Sequence, residues 1–334
     1  MDVDEAGTGL IGAIDLGGTK ILSLVVDMLG EVHGVDVRPT EAHRGPDAVL
    51  RRMVESLTAA LVEAGRGMKL EAVGVAAPGP IDFEQGTVVE APNLPGWSNV
   101  PVVELIADMV GCPAILENDA NAAAWGEFTL GAGRGSRHLV YLTVSTGIGG
   151  GLVLDGRLYR GANGAAGEIG HIPLVEDGPR CGCGARGCLE ALASGTAIAR
   201  RAREALATGA APILARLAGD EPVTARTVYE AAVQGDAAAQ AIMDEAGRHL
   251  GRGLTAVVNV FNPDHIVLGG GVMKSGEMLL RPALAEVQAR ALRLARDHVQ
   301  IALASLGDRS GALGAAMLAR ELVVRAVHVT EEET

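Results

Sequence analysis

Aromatic side chains are almost missing from this 334-residue chain: three Phe, three Tyr and two Trp, 2% of the total. Its cores must therefore be packed by Ala, Val, Leu and Ile. Positive charge is short as well. Twenty-eight Lys and Arg face 41 Asp and Glu, a net charge of −13, which argues against a diffuse footprint on a nucleic-acid backbone. A small anion such as a nucleotide is still admissible, because local N–H groups and a metal ion bind it against the global field. No apolar run approaches the ~20 residues that span a bilayer. The opening MDVDEAGTG is acidic and lacks the apolar stretch of a signal peptide. These absences predict a soluble, cytoplasmic protein. Cysteine is also scarce, yet three of the four fall between positions 181 and 188. In a cytosolic chain such a cluster points to metal or redox chemistry before structural disulfides.

What is present is 48% hydrophobic residues and 46 glycines, enough for real cores, close helix packing and many tight turns. The length favours two domains at roughly 100–200 residues each. The opening pattern predicts strands at 10–15, 21–26 and 31–37 around a glycine turn. A helix is predicted over 46–64, with Pro46 in its first turn and Val49, Met53, Leu57 and Leu61 on its apolar face. A buried strand broken by Pro78 and Pro80, a long irregular loop over 91–100 and a helix from Pro101 follow. Next come a short strand AILEN and a helix beginning at Asp119. From about Arg137 the strand, glycine turn, strand, turn, strand order returns. This weak internal repeat predicts duplicated α/β domains facing a cleft. Helices over 196–217, 225–235, 237–261, 276–294 and 309–326, strands over 264–271 and 299–304, and a frayed acidic tail complete the prediction. Residues 1–118 form the smaller α/β domain, with the 309–326 helix a candidate to pack on it. Residues 119–334 form the larger α/β domain.

One motif is a decoy. GTGLIG at 7–12 spells G-x-G-x-x-G, but the dinucleotide reading needs a strand before it and a helix after it. DLGGTK is more informative. Gly17 and Gly18 allow positive φ and close approach of a phosphate, Thr19 and Lys20 supply a hydroxyl and a charge, and Asp15 can hold Mg²⁺. A plain β-hairpin turn uses the same glycines. The second turn, STGIGGG, brings Ser145, Thr146, Gly147 and Gly149, so that two turns could clasp an oligophosphate from both sides. LGGG with Val272 (Gly269, Gly270, Gly271) follows a buried strand and allows close approach of an adenine or ribose, or is a strand-to-helix turn. Asn118 and Asp119 end a strand at the mouth of the cleft. Asp119 there is a helix N-cap, a base accepting a hydroxyl proton during attack on phosphorus, or both.

The segment GEIGHIPLVEDGPRCGCGARGCLE sets His171, Cys181, Cys183 and Cys188 at a spacing that suits tetrahedral Zn²⁺. The competing readings are a redox disulfide, which leaves one cysteine idle, and unpaired thiols. Four protein ligands leave no position for water, so the ion would be structural. One imidazole nitrogen could ligate it while the other faces the cleft. Glu168 and Glu190 flank the set and could point with His171 at one polyol. Cys112 reads as a core residue.

Taken together, DLGGTK, APGPID, APNLPGW, ENDANAAAWGE, STGIGGG, GEIGH, CGCGARGCLE and LGGG resemble, in order and over nearly the whole chain, the ROK family of sugar kinases and sugar-responsive repressors, within the actin/hexokinase-like ATPases. The resemblance implies an α/β fold of two RNase H-like domains flanking a cleft for ATP with Mg²⁺ and a hexose. It makes Asp119 the general base and gives Asn118, Asp119, Glu168, His171 and Glu190 to the sugar, with Gly79 and Asn93 on loops beside it. It gives phosphates to the turns at Asp15–Lys20 and 145–149, and the nucleoside to 269–272. It also implies a homodimer or homotetramer. About nine residues precede the first strand, which leaves no room for the repressors' DNA-binding domain. The GCLEALASGTAI run and the APNLPGW loop resemble the glucokinase branch most. N-acetylmannosamine kinase, fructokinase and a non-catalytic sugar sensor are the alternatives.

Overall fold

The structure, a computed structural model, describes residues 9–65, 69–91 and 93–332, with side chains described as far as 326. The start of the GTGLIG decoy and the acidic N-terminus lie outside these residues. From Leu10 the chain is strand. The first unit runs β1 (Leu10–Leu16), β2 (Lys20–Asp27), β3 (Val32–Pro39), α1 (Pro46–Ala64), β4 (Leu70–Ala77), β5 (Ile81–Asp82), β6 (Thr87–Glu90), β7 (Ser98–Val100), α2 (Val102–Val110) and β8 (Ala114–Asn118). Helix α3 (Asp119–Thr129) leads to β9 (Leu139–Val144), β10 (Ile148–Leu154) and β11 (Arg157–Leu158). Then come α4 (Leu189–Ala193), α5 (Gly195–Ala207), α6 (Pro212–Ala218), α7 (Ala225–Val233), α8 (Ala237–Phe261), β12 (His265–Gly269), α9 (Glu277–Arg290), α10 (Arg293–Arg296), β13 (Gln300–Leu303) and α11 (Ser310–Glu332).

The two large sheets have the same strand order, β3-β2-β1-β4-β8 and β11-β10-β9-β12-β13. In each, three antiparallel strands are followed by two parallel ones. The faint repeat of two glycine hairpins is thus a repeat of whole sheets. Both faces of each sheet are covered, so the central strands are apolar without interruption. In β1, Leu10, Ile14 and Leu16 join a core with Met53 and Leu57 of α1. Ile11 and Ala13, on the opposite face, join a central core with Ala312 and Ala316 of α11 and with Leu139 and Tyr141 of β9. Helices α3 and α11 make up this central layer. They approach closely because Gly126 and Gly314 face each other's backbones: a Cβ on Gly314 would run into the Ala122 carbonyl, and one on Gly126 into that of Ser310. The third core lies between the second sheet and α4 to α9.

Four expectations need correction. The 91–100 loop ends in strand β7, the edge of a small sheet β5-β6-β7. The 196–217 helical stretch breaks before Pro212, which opens α6, and the 276–294 helix breaks at Ala291, the C-cap of α9. The last helix does not stop at 326 but runs to Glu332, taking in most of the tail expected to fray. Among the described residues no helix is long and apolar enough to cross a membrane.

Candidate active site

Side chains alternate along a strand, so the face of β1 that carries Ile11 and Ala13 ends in Asp15. The matching face of β9 carries Leu139 and Tyr141 and ends in Thr143. Both ends open onto one cavity of about 250 Å³ at the carboxyl edges of the sheets, where open α/β sheets bind ligands. Asp119, Lys20, Ser145, Gly270, Gly271, Asp308, Ser310 and Gly311 complete much of its wall. A larger cavity of about 730 Å³ shares Ser145 and Gly271 with it, and adds Thr146, Thr196, residues 223–226, Tyr229, Val272 and Lys274. The shared residues make the two cavities neighbours: a wide, largely apolar chamber beside a small acidic one.

Burial pushes Asp15 up to about 7 from its ordinary 3.8; the Asp119 and Asp308 carboxylates add to this and Lys20 opposes it. Burial likewise raises Asp119, the Glu168 carboxylate raises it further, and the Ala120 N–H, 2.8 Å from its Oδ1, pulls it back. The native protein therefore retains a proton on Asp15 that the unfolded chain releases near pH 4. Stability conferred by the rest of the fold falls as pH rises through the window from about 4 to about 7. Asp15→Asn should remove that penalty. It is expected to stabilise the free protein more at pH 8 than at pH 5, by about 2 kcal/mol once solvent access to the cavity is allowed for. Thermal melts of both proteins at the two pH values check this, and equal gains at both would contradict it.

Asp119 is the first residue of α3, not its cap. The cap is Asn118, whose Oδ1 accepts from the N–H groups of Ala120 (3.0 Å) and Asn121 (3.2 Å). Asp119 is thereby freed from capping and stands in the cavity wall. Behind it, the buried Glu117 accepts from the Asn118 N–H (3.0 Å) and from Asn121 Nδ2 (3.0 Å). Its other oxygen accepts from Arg160 Nε and Nη2, both at 2.7 Å. Arg160 follows β11 of the second unit and lies over the Phe83 ring of the first, so this pair ties the two units together behind Asp119. A glutamate closing an otherwise apolar strand is the signal that could have exposed Glu117.

The glycine turns form, but not as expected. Neither Gly17 nor Gly18 has positive φ. Their smallness serves close approach: a Cβ on Gly18 would lie 3.3 Å from that of Asn93, and one on Gly17 3.1 Å from the Lys20 carbonyl. Thr40 anchors the turn through Gly17 O (2.6 Å) and Thr19 O (2.9 Å). Lys20 reaches the cavity. In the second turn, Ser145 and Thr146 face the cavities and receive the start of α5, with Gly195 N donating to Ser145 O (2.7 Å) and Thr196 Oγ1 to Thr146 O (2.8 Å). Gly149 is packed on Thr143 and Ala120, and Gly269 lies under the Tyr141 hydroxyl. These two glycines therefore allow close packing beneath the cavities. Gly270 alone of the LGGG run has positive φ, +90°, and turns the chain over Val144.

The His171, Cys181, Cys183 and Cys188 ligand atoms all lie within 4.8 Å of one another, and the cysteines are unbridged. His171 Nδ1 is 3.5 Å from Cys181 Sγ, and the Cys183 and Cys188 sulfurs are 3.8 Å apart. Bond lengths of about 2.3 Å to sulfur and 2.05 Å to nitrogen give a tetrahedron with edges of about 3.8 and 3.5 Å. The two distances given match those edges, and the donor set suits a tetrahedral ion. Nδ1 is the inward nitrogen. Nε2 turns outward, 3.7 Å from the Glu168 carboxylate. Glu190 lies 3.6 Å from Cys181 Sγ through Oε1, and its Oε2 accepts from the Ile148 N–H (2.9 Å) beside Gly147. Gly79 sits on Asn118, whose Nδ2 would be 3.5 Å from a Cβ there. Asn93 sits on Gly18, joining its loop to the first turn. Cys112 is half-buried against the first core.

Sequence reasoning missed Thr196, Arg226, Tyr229 and Lys274 around the larger cavity and Asp308, Ser310 and Gly311 around the smaller. No local motif marks them, because α5, α7 and the turn after β12 meet only in the folded chain.

The ROK family profile matches residues 11–322. The glucokinase of Thermotoga maritima is 38% identical over 94% of this chain and 98% of its own length. A ROK family glucokinase from Streptomyces griseus, solved in complex with glucose and AMPPNP, superposes with a TM-score of 0.81 at 38% identity, over 94% of this chain and all of that one. A ROK hexokinase from Thermus thermophilus gives a TM-score of 0.78 at 38% identity, over 95% and 99%. With its duplicated sheets, paired cavities and Cys₃His cluster, and with these likenesses over nearly its full length, the chain belongs to the ROK family.

Proposed function

We propose that the chain is an ATP-dependent hexokinase that transfers the γ-phosphoryl group to the 6-hydroxyl of glucose, with Asp119 as general base. The observation that carries this reading is the meeting of the two cavities at Ser145 and Gly271, with Asp119 in the smaller one. The 730 Å³ chamber suits a nucleoside, and the acidic one the phosphates and the attacking hydroxyl. Asn118, Glu168, His171 and Glu190 are the sugar ligands of this reading, with Gly79 against Asn118 and Asn93 on the loop beside the first turn. Charge-assisted hydrogen bonds from carboxylates fix hydroxyl orientation strongly.

The O6–H proton passes to Asp119 as O6 bonds to the γ-phosphorus and the bond from phosphorus to the β,γ-bridging oxygen breaks, releasing ADP. Burial makes Asp119 a stronger base than a surface carboxylate. Lys20, the N–H groups of the two turns and the start of α11 at Gly311 lie where charge spreads over the phosphoryl oxygens. Asp15 would hold Mg²⁺, which supplies neutralisation of the phosphate charge. His171, Cys181, Cys183 and Cys188 would hold a structural Zn²⁺, which supplies a fixed fold for the 172–188 segment. On this reading the lobes divide between Asn118 and Asp119, with α11 returning to the first lobe, and their closure excludes water as a competing acceptor.

A coupled assay of ADP release with glucose, mannose, N-acetylmannosamine and fructose tests the assignment. Glucose is expected to show the highest kcat/KM. A higher value for N-acetylmannosamine would move the chain to that specificity. ADP release no faster than without sugar, for all four, would make it a sugar sensor.

A further inference from the structure

Glu127 lies on α3, eight residues after Asp119, and is fully buried. A carboxylate withdrawn from water is strongly disfavoured unless its lone pairs are filled. Among the described residues no cationic side chain pairs with it. Neutral donors surround it instead. Oε2 accepts from Ala132 N (2.9 Å), Ser305 N (3.1 Å) and Ser305 Oγ (3.2 Å). Oε1 accepts from Leu306 N (3.0 Å) and Ser310 Oγ (2.8 Å). Room for this carboxylate is made by Gly131, where a Cβ would overlap Oε2.

Four of these five donors belong to Ser305, Leu306 and Ser310. The same short segment carries Gly307, Asp308 and Gly311, which with Ser310 line the acidic cavity opposite Asp119. Two turns of helix, about 12 Å, separate Asp119 from Glu127. One rigid rod thus bears the proposed base at one end and a clamp on the cavity wall at the other. We propose that Glu127 is a positioning residue for phosphoryl transfer, holding the 305–311 wall of the phosphate site in register with Asp119. The inference rests on the kinase reading above. It requires an acceptor at both oxygens, since the N–H groups of Ala132 and Ser305 at one and of Leu306 at the other can only donate. A glutamine would set its NH₂ against the Leu306 N–H or against those of Ala132 and Ser305, leaving at least one buried amide unpaired.

Glu127→Gln is expected to lower kcat/KM for Mg·ATP by about tenfold or more, the scale of one buried unpaired donor, with the KM for glucose within about twofold. Amide hydrogen exchange should quicken at 305 and 306 and stay slow in β9 and β12. Ser305→Ala removes a single donor from an exposed residue, and should shift Mg·ATP kinetics the same way by a few-fold; it carries the test if the glutamine variant does not fold. Unchanged Mg·ATP kinetics in either folded variant would overturn the proposal. So would equal losses for both substrates with faster exchange throughout, the mark of a residue that serves stability alone. Wild-type turnover separates the two levels: an active wild type beside an unaffected variant removes only the positioning role, whereas an inactive wild type removes the kinase reading.

Discussion

Asparagine at position 119 is expected to lower kcat by about 10²–10⁴-fold while glucose still binds within a few-fold of wild type. The substitution keeps volume and keeps an oxygen for the Ala120 N–H, so the first turn of α3 is undisturbed. What it removes is the proton acceptor. The environment of Asp119 sharpens the expectation. Burial and the Glu168 carboxylate hold its pKa above the usual carboxylate range. A base must be ionised to act, so activity should fall as pH drops through that raised pKa, at a higher pH than for a surface aspartate. The residual activity of the asparagine variant should lack this acid limb. Steady-state kinetics from pH 5 to 9 with glucose calorimetry check both parts. Near-normal turnover in Asp119→Asn would end the assignment of the base.

Loss of the metal should act on the sugar before the nucleotide. Between His171 and Leu189 the chain forms no helix or ladder, only two isolated bridges, Pro173 with Cys188 and Arg180 with Arg186. Turn and loop hydrogen bonds such as Leu174 N to Gly187 O (2.8 Å) and Gly187 N to Pro179 O (2.9 Å) hold it locally, while the ligand cluster joins His171 to the cysteine loop, and Glu168, His171 and Glu190 stand at its two ends. Chelation, or Cys188→Ser, is therefore expected to raise the KM for glucose by about 10–100-fold, as loss of support around a metal site does, and to leave the nucleotide chamber intact, since none of the four ligands lines it. Metal analysis of the purified protein should return close to one zinc per chain. Metal-free protein with ordinary glucose affinity would contradict the orienting role, and absence of zinc with thiol-dependent activity would favour redox chemistry.

The parts of this site that the sequence shows are those in which neighbours in the chain stay neighbours in space. The cysteine spacing closes on itself within one segment, and the AILEN strand hands Asn118 and Asp119 directly to α3. The repeated hairpins were visible because each is local, and they implied duplicated α/β domains; the shared strand order of the two sheets came with the structure. What stayed hidden depends on distant segments meeting. The larger cavity is assembled from α5, α7 and the turn after β12, none with an unusual composition. Glu127 and Ser305 are far apart in sequence. Even local chemistry misleads when two residues compete for one role: Asn118 took the cap expected of Asp119, because the strand β8 ends with Asn118 in the extended conformation a cap requires. Gly17 and Gly18 misled differently. Neither has positive φ, and what favours glycine is crowding, by the Lys20 carbonyl of the same turn at Gly17 and by the Asn93 loop at Gly18.

The position of α11 has a consequence for synthesis. The face of β1 and β4 that carries Ile11, Ala13 and Ala72 is covered by residues of a helix that begins at Ser310. At about 5–20 residues per second, a ribosome needs on the order of ten seconds or more after making β4 to deliver that cover. The second sheet and its helices, contiguous from β9 to β13, are complete before then. The half of the molecule that leaves the exit tunnel first is thus the last to be sealed, and in the interval one apolar face of its sheet has no cover from α11.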